Sequence, residues 1–424
     1  MGEYKMKFRK ISKFLAVTLI FSTSISFKTY AFQPASHCSL IEKVKVDLPE
    51  QSIIKRSLEI YPGIANWGSV ALDLGYLQPG QILDRAPWAD RYHYYKVGTF
   101  ASEQLKIALS SRDMKKIAFA TGWISHITGD LSCHGIFVNT ECGVYLDNEN
   151  TRALHKELEN NAEAVVWADI AKKSIADYKN GISSIFSNID EIPFGLVNEV
   201  SEKVYGVSQT LAEEKLQCNT LIAGLKTGIG YNYGDLQKSR EFLAQNGRSE
   251  RLKNAFTDAE NNCTSLLIAA ENGDFSKFSD RWNLDVGKSK SPISSLTAVV
   301  ETGEKFGAGT DDDVFLDIQL KNGKTKEWKL DKNNYNDFEQ GDNDEYYLYI
   351  NDIDFSPNDV KKVIVKKKKA NISYGADWYL KTITVNVNGT DALKQTVNSW
   401  VQGDNASKEF IVDWSNIKNT SDPE

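Results

Sequence analysis

Gly122-Trp123-Ile124-Ser125-His126-Ile127-Thr128-Gly129-Asp130-Leu131-Ser132-Cys133-His134 holds three polar residues at a regular interval. His126, Asp130 and His134 step by four. On a helix that step lines them along one face, with successive side chains about 5–6 Å apart at Cβ. Imidazole nitrogen and carboxylate oxygen are both ligands that Zn²⁺ accepts. His155 and Glu159 repeat the step of four on what should be a second helix. The chain has five histidines, the other two being His37 and His93, and the C-terminal third has none. One histidine on a helix is ordinary, but two such faces in one chain are not. Five histidines with Asp130, Glu159 and a further acid exceed the needs of one ion. Asp130, between two histidines, is suited to bridge two metals. Two metals a few Å apart activate a water and steady both oxygens of a phosphoryl displacement.

Outward from this stretch, residues 38–285 keep a helical period. Glu103–Ser111, Lys115–Leu131, Arg152–Asn180 and Ser208–Ala223 place apolar residues three and four apart, with Gly and Pro between the runs. Around Gly287–Ser295 the sequence turns small and polar, as in a linker. Beyond it the period becomes two. Val314, Leu316, Ile318 and Leu320 alternate, as do Ile383, Val385 and Val387, with turn signals at Lys321-Asn322-Gly323-Lys324 and Asn388-Gly389. The expected fold class is therefore multidomain α and β: an all-α domain over residues 32–286, a linker over 287–295, and an antiparallel β-sandwich over 296–424.

Residues 1–31 read as a secretory signal peptide. A basic head (Lys5, Lys7, Arg9, Lys10, Lys13) precedes an apolar run too short to span a bilayer, then Thr29-Tyr30-Ala31. The mature chain would begin at Phe32 and be secreted. Losing six basic residues and one acid leaves 44 basic and 56 acidic residues, a formal charge of −12. Such a net anion does not suit a phosphate backbone, so no nucleic-acid partner is expected. Nothing implies a protein partner, and a monomer is expected. Export permits disulfides. Of Cys38, Cys133, Cys142, Cys218 and Cys263, the pairs Cys133–Cys142 and Cys218–Cys263 are candidates, although sequence does not fix connectivity.

The segment His126–His134, with His155 and Glu159, resembles the bacterial zinc-dependent phospholipases C and their relatives that cleave phosphoinositol-glycan anchors. The resemblance implies an all-helical domain binding two or three Zn²⁺. It assigns His126, Asp130, His93 and a preceding Asp to one metal, and His134, His155 and Glu159 to a second. A third would sit on Asp130, His37 and the first mature residue, here Phe32. Family members usually begin with Trp. The preceding Asp is Asp84 or Asp90, both nearer to His93 than in the family. Asp84 is preferred because it follows Gly80-Gln81-Ile82-Leu83, where the family has a Pro-Asp loop, and it is the candidate general base.

The C-terminal part carries Thr302-Gly303-Glu304-Lys305, Ala308-Gly309-Thr310-Asp311-Asp312, Lys321–Trp328 and Asn336-Asp337-Phe338. In these words residues 296–413 resemble a PLAT domain of the clostridial alpha-toxin type, with one added residue near Phe306. The resemblance implies Ca²⁺ bridging loops to phospholipid headgroups, through Gly307, Gly309, Thr310, Asp331, Asn333, Asn336, Asp337 and Asp377. Lys332 stands where those proteins have Asn. Tyr374, Trp378 and Tyr379 are candidate membrane contacts, since aromatic side chains with a polar atom favour the interface. Lys366–Lys369 either adds attraction to anionic lipid or is an exposed strand kept soluble by lysine.

Together these features predict a secreted zinc phospholipase C acting at a phospholipid membrane surface. Two rivals remain: a zinc phosphodiesterase for single-stranded nucleic acid or glycan-anchor lipids, and a non-catalytic lipid binder. The sequence has no Gly-x-Ser-x-Gly elbow and no His-Glu-x-x-His motif, so serine lipase and typical zinc protease chemistry have no support.

Overall fold

The computed structural model describes residues 33–77, 87–144, 149–174, 176, 181–227, 236–287, 291–332, 336–348, 355–370 and 377–419. The leader-like segment, Phe32, Asp84, Asn333 and Tyr374 lie outside the described residues.

Twelve α-helices come first among the described residues: α1 (Pro34–Asp47), α2 (Ile53–Ile60), α3 (Pro62–Val70), α4 (Pro87–Tyr94), α5 (Val97–Ser111), α6 (Met114–Ser132), α7 (Asn139–Cys142), α8 (Glu149–Val165), α9 (Phe194–Tyr205), α10 (Leu211–Thr227), α11 (Leu236–Leu243) and α12 (Arg248–Glu271). The helix α6 is the axis of the domain. Asp113 caps its start, its carboxylate accepting from the Lys115 and Lys116 amides. From Ile117 to Asp130 every side chain is buried. Two glycines bring α3 against it: a Cβ on Gly68 would lie 2.0 Å from the Phe119 carbonyl oxygen, and one on Gly122 would lie 2.1 Å from that of Ala65. The backbones touch because both positions lack a side chain. Beyond Ser132 the helix widens into a π-helical segment, Cys133–Val138, which carries His134. The long periodic run from Arg152 ends sooner than its pattern suggests. After α8 a second π segment closes at Ile170, and Lys172 turns to φ +58.

Eight strands follow: β1 (Leu296–Thr302), β2 (Asp313–Leu320), β3 (Thr325–Lys329), β4 (Asn343–Tyr347), β5 (Val360–Lys368), β6 (Trp378–Val387), β7 (Thr390–Val401) and β8 (Asn405–Ile411). They form two antiparallel sheets, ordered β4-β1-β6-β7 and β3-β2-β5-β8. The alternating residues Val314, Leu316, Ile318, Ile383, Val385 and Val387 fill the core between them. Asn388 (φ +49) and Gly389 (φ +80) make the tight turn joining β6 to β7.

The described part of the stretch read as a linker is packed. Ile293, Ser294 and Ser295 are buried, and the Asn388 side chain holds it by accepting from the Ser294 amide and donating to the Pro292 carbonyl. No helix among the described residues is long and apolar enough to cross a membrane. All five cysteines are buried and neither candidate disulfide forms. Cys142 turns its sulfur to the Val138 and Gly143 carbonyls, and Cys38 faces Ser69 rather than a metal group.

Candidate metal centre

Helix α6 brings His126 and Asp130 to the middle of the helical domain, and three other segments converge on them. His37 comes from α1, His93 from α4, and Asp73 from the 3₁₀ turn Ala71–Leu77 that follows α3. His126 Nε2 lies 3.1 Å from Asp130 Oδ2, and His93 Nε2 lies 3.7 Å from the same oxygen. His37 Nε2 is 3.4 Å from Asp130 Oδ1. On the other side His93 Nε2 is 3.2 Å, and His126 Nε2 3.9 Å, from Asp73 Oδ1. Asp130 thus faces three imidazoles with its two oxygens. A second group forms one turn on, where His134 meets α8: Glu159 Oε1 is 2.8 Å from His155 Nε2 and 3.6 Å from His134 Nε2. Three sets emerge, each with ligand atoms within 4.8 Å of one another: His37–His126–Asp130, Asp73–His93–His126, and His134–His155–Glu159.

The residues fit Zn²⁺. Asp73 Oδ1, His126 Nε2, Asp130 Oδ1, His134 Nε2 and Glu159 Oε1 are all buried and make no hydrogen bond within the protein. Buried polar atoms are normally satisfied, and a cluster that is not, with every lone pair turned inward, suits a cation. The outer nitrogens complete the pattern. His93 Nδ1 donates to the Ala89 carbonyl (2.7 Å), His126 Nδ1 to that of Ser69 (2.9 Å), and His134 Nδ1 to that of Leu284. Each bond fixes the tautomer that leaves Nε2 as a free ligand.

The protonation states agree. Burial raises the Glu159 carboxyl to about 8. Burial lowers His155 to about 4 and holds His37 well below its ordinary range. His93 is the exception: burial would lower it, but the adjacent Asp73 carboxylate, with the charge of Asp130, carries it up to about 9. Asp130 is held low against its burial, first by His126.

Asp73 stands beside His93 and His126, in the position for which Asp84 and Asp90 were the candidates, and Asp84 lies outside the described residues. Asp73 lies twenty residues before His93, and a ligand further ahead than either candidate was the available signal. Asp90 accepts instead from the Tyr76 hydroxyl at 3.2 Å. Glu163 was also missed, although it continues the step of four from His155 and Glu159. Its carboxylate accepts from the Ala35 amide (2.7 Å) and the Ser36 amide (2.9 Å), capping α1 so that His37 points inward.

The sandwich offers a less unified set. Among the described residues no three acidic side chains there bring ligand oxygens within 4.8 Å of one another. Thr310, Asp311, Asp313, Asp331, Asn336 and Asp337 line one cleft. Lys329, half exposed, reaches Asp313 and Asp331 at 2.8 Å each. Asp337 accepts from the Lys332 amide and the Tyr346 hydroxyl. The Lys332 ammonium bonds buried Asp344 at 2.8 Å and lies 3.9 Å from Asp337. The Asp337 side of the cleft does not fit a calcium ion, because its acids are already answered by an ammonium. Asp377 stands apart, accepting from the Gly403 amide at 2.9 Å. Gly309 packs against the Phe338–Gln340 backbone, and Gly307 is exposed at φ +71.

The expected aromatic contacts need correcting. Trp378 is fully buried, its indole donating to Thr302 Oγ1 at 3.0 Å, because β6 turns it into the core. Tyr379 is buried under the Lys305 ammonium. Phe306, near the added residue, is instead 99% exposed. The lysine run is also consumed: Lys366 pairs with Asp317 and Glu327, Lys367 is buried against Asp312, and Lys368 and Lys369 face Glu327 and Asp404.

Comparison with known proteins agrees with both halves. Residues 36–201 match the family model described as zinc dependent phospholipase C, and residues 296–412 match that of the PLAT/LH2 domain. The chain thus joins a domain similar to the zinc-dependent phospholipases C to a C-terminal PLAT domain. A phospholipase C of Clostridium perfringens (strain ATCC 13124) is 26% identical over 216 residues, which is 46% of this chain and 53% of that one. One from Clostridium novyi is 34% identical over 129 residues, 29% of this chain and 32% of that one. The chain thus spans between about a third and a half of the length of these relatives. Alpha toxin from Clostridium absonum aligns over 91% of this chain and 98% of its own, at 15% identity and a TM-score of 0.34.

Proposed function

We propose that the protein is an exported zinc phosphodiesterase of the phospholipase C type, cleaving a membrane phospholipid into diacylglycerol and a phosphorylated headgroup. The observation that carries this reading is the set of buried ligand atoms around Asp130 and Glu159 that make no hydrogen bond within the protein. Asp73, His93, His126, Asp130 and His37 would hold one or two zinc ions, and His134, His155 and Glu159 another. Zinc bound there supplies Lewis acidity, lowering the pKa of a water and neutralising charge on a phosphoryl group. The side chains do the rest. The Nδ1 bonds to the chain keep the imidazoles aimed, and Asp73, beside His93, takes the base role expected of Asp84. Burial of the acids keeps bulk water out and strengthens each attraction within the site.

The PLAT domain would meet the lipid. Phe306 is fully exposed on a loop pinned on both sides, where Gly303 N donates to the Tyr379 carbonyl and Tyr379 N to that of Ala308. A rigidly presented phenyl ring beside Lys305 suits insertion between headgroups. We assign calcium only to the open part of the cleft at Asp311, Asp313 and Asp331, where half-exposed Lys329 is displaceable.

Hydrolysis of phosphatidylcholine liposomes, with and without a zinc chelator, tests the reading. Chelator-sensitive release of both diacylglycerol and phosphocholine is expected. No release by zinc-loaded, liposome-bound protein would remove phosphatidylcholine as substrate. Release of nucleotides from single-stranded DNA instead would favour the nuclease reading.

A further inference from the structure

Between the last helix and the first strand the chain passes through Asn283-Leu284-Asp285-Val286-Gly287, and this short strap touches both metal groups. The Leu284 amide donates to the His93 carbonyl at 3.0 Å, and the Leu284 carbonyl accepts from His134 Nδ1. One residue is therefore bonded to a ligand residue of each group. Asp285 Oδ2 accepts from the hydroxyl of Tyr94, the neighbour of His93, at 2.5 Å. The Asn139 side chain, on the first turn after the π segment, donates to the carbonyls of Asp285 (2.7 Å) and Val286 (3.2 Å).

The strap is held in shape as well as in place. Asn283 Oδ1 accepts from the amides of Asp285 and Val286, and the Asn283 carbonyl from that of Gly287. Gly287 sits at φ +65 so close to the π segment that a Cβ would lie 2.4 Å from the Gly135 amide nitrogen and 2.7 Å from the Leu131 carbonyl oxygen. Leu284 belongs to the helical core, whereas Val286, two residues on, belongs to the core of the sandwich. From the sandwich side the Ser295 hydroxyl donates to the Tyr94 carbonyl at 3.0 Å.

We propose that this strap is a positioning element through which the PLAT domain sets the geometry of both metal groups. A ligand imidazole keeps its aim only while the acceptor of its outer N–H stays put. For His134 that acceptor is Leu284, and the strap that carries it is anchored in the other domain through Val286. The sandwich is then part of the metal centre as well as a module for reaching lipid. By reciprocity, metal binding must in turn stabilise the strap. This inference rests on the zinc reading, and the zinc affinity of the wild-type protein tests that reading separately.

The experiment compares the full-length wild type with Asn139→Ala, which unclamps the strap, and Ser295→Ala, a change in the sandwich. Neither residue belongs to a metal group. Zinc affinity is measured by competition with a chromophoric chelator, and folding by far-UV circular dichroism. Both folded variants should bind zinc about three- to tenfold more weakly, somewhat less than the loss typical of a direct outer partner. Titrations that superimpose on the wild type would overturn the proposal. A second measurement needs no variant: hydrogen exchange of the Leu284 and Gly287 amides in the wild-type protein, zinc-loaded and stripped. Faster exchange on stripping is expected. Unchanged exchange at both amides would overturn the proposal whatever the variants do.

Discussion

The two halves both bury acidic side chains, and they treat them in opposite ways. In the sandwich each buried acid has an ammonium: Asp312 has Lys367, Asp344 has Lys332 and Asp317 has Lys366. In the helical domain Asp73, Asp130 and Glu159 have only imidazoles, set at distances where ligand atoms face one another without hydrogen bonds. A buried acid with a lysine is complete as it stands, because the desolvation of each charge is offset by its partner. A buried acid among imidazoles, with no lysine or arginine to answer it, is suited to a cation. Counting acids does not separate the two cases, but asking what each oxygen faces does.

The largest expected effect comes from breaking the helical arrangement at its centre. Asp130→Asn removes the charge facing three imidazoles, and should abolish zinc retention and cut lipid hydrolysis by about a hundredfold or more. Full activity with bound zinc would end the assignment. Asp73→Asn should lose zinc in the same assay while Asp84→Asn keeps it, and the reverse result would restore Asp84.

Protonation sharpens the comparison further. His93, raised from 6.5 to about 9, binds more protons folded than unfolded, and so does Glu159, raised from 4.5 to about 8. Stripped of metal, the protein should therefore lose stability as the pH rises from about 4.5 to 9, most steeply between 6.5 and 8 where both groups act. His155, lowered to about 4, acts in the opposite sense: its contribution is lost as pH falls from 6.5 through 4. Zinc uptake at pH 7 should release protons, and calorimetry in buffers of different ionisation heat would read them. Uptake without proton release would contradict the assigned states.

On the sandwich side the effects are smaller. Phe306→Ser should weaken liposome binding about tenfold, the value of burying one aromatic ring, and leave zinc content unchanged. Unchanged liposome affinity would remove Phe306 from the membrane contact. Lys332→Asn removes the ammonium answering Asp344 and should create a calcium-dependent rise in Tm greater than that of the wild type. Equal shifts in both proteins would show that Lys332 does not stand in for a cation.

Much of this was legible in the sequence, and what was not has physical causes. Steps of four are local, so His126, Asp130, His134, His155 and Glu159 could be read as two faces before any tertiary contact was known. Alternation placed Val314–Leu320 and Ile383–Val387 in strands for the same reason. Asp73 was hidden because it reaches His93 from a separate 3₁₀ turn, with no period linking the two. Trp378 misled because an aromatic residue suits a lipid interface and a sandwich core equally well, and only strand phase decides between them; Tyr379, on the opposite face, is covered instead by Lys305. The stretch from Gly287 to Ser295 was read as a linker on its small polar residues, yet Gly287 is there to allow close packing rather than freedom.

The most direct test of the zinc phosphodiesterase account is hydrolysis of phosphatidylcholine vesicles in ¹⁸O-labelled water by zinc-loaded protein, with a chelated control. Attack of water on phosphorus predicts one labelled oxygen in the released phosphocholine and none in the diacylglycerol, with both products lost on chelation. Release that survives complete removal of zinc, or label found in the diacylglycerol, would contradict it.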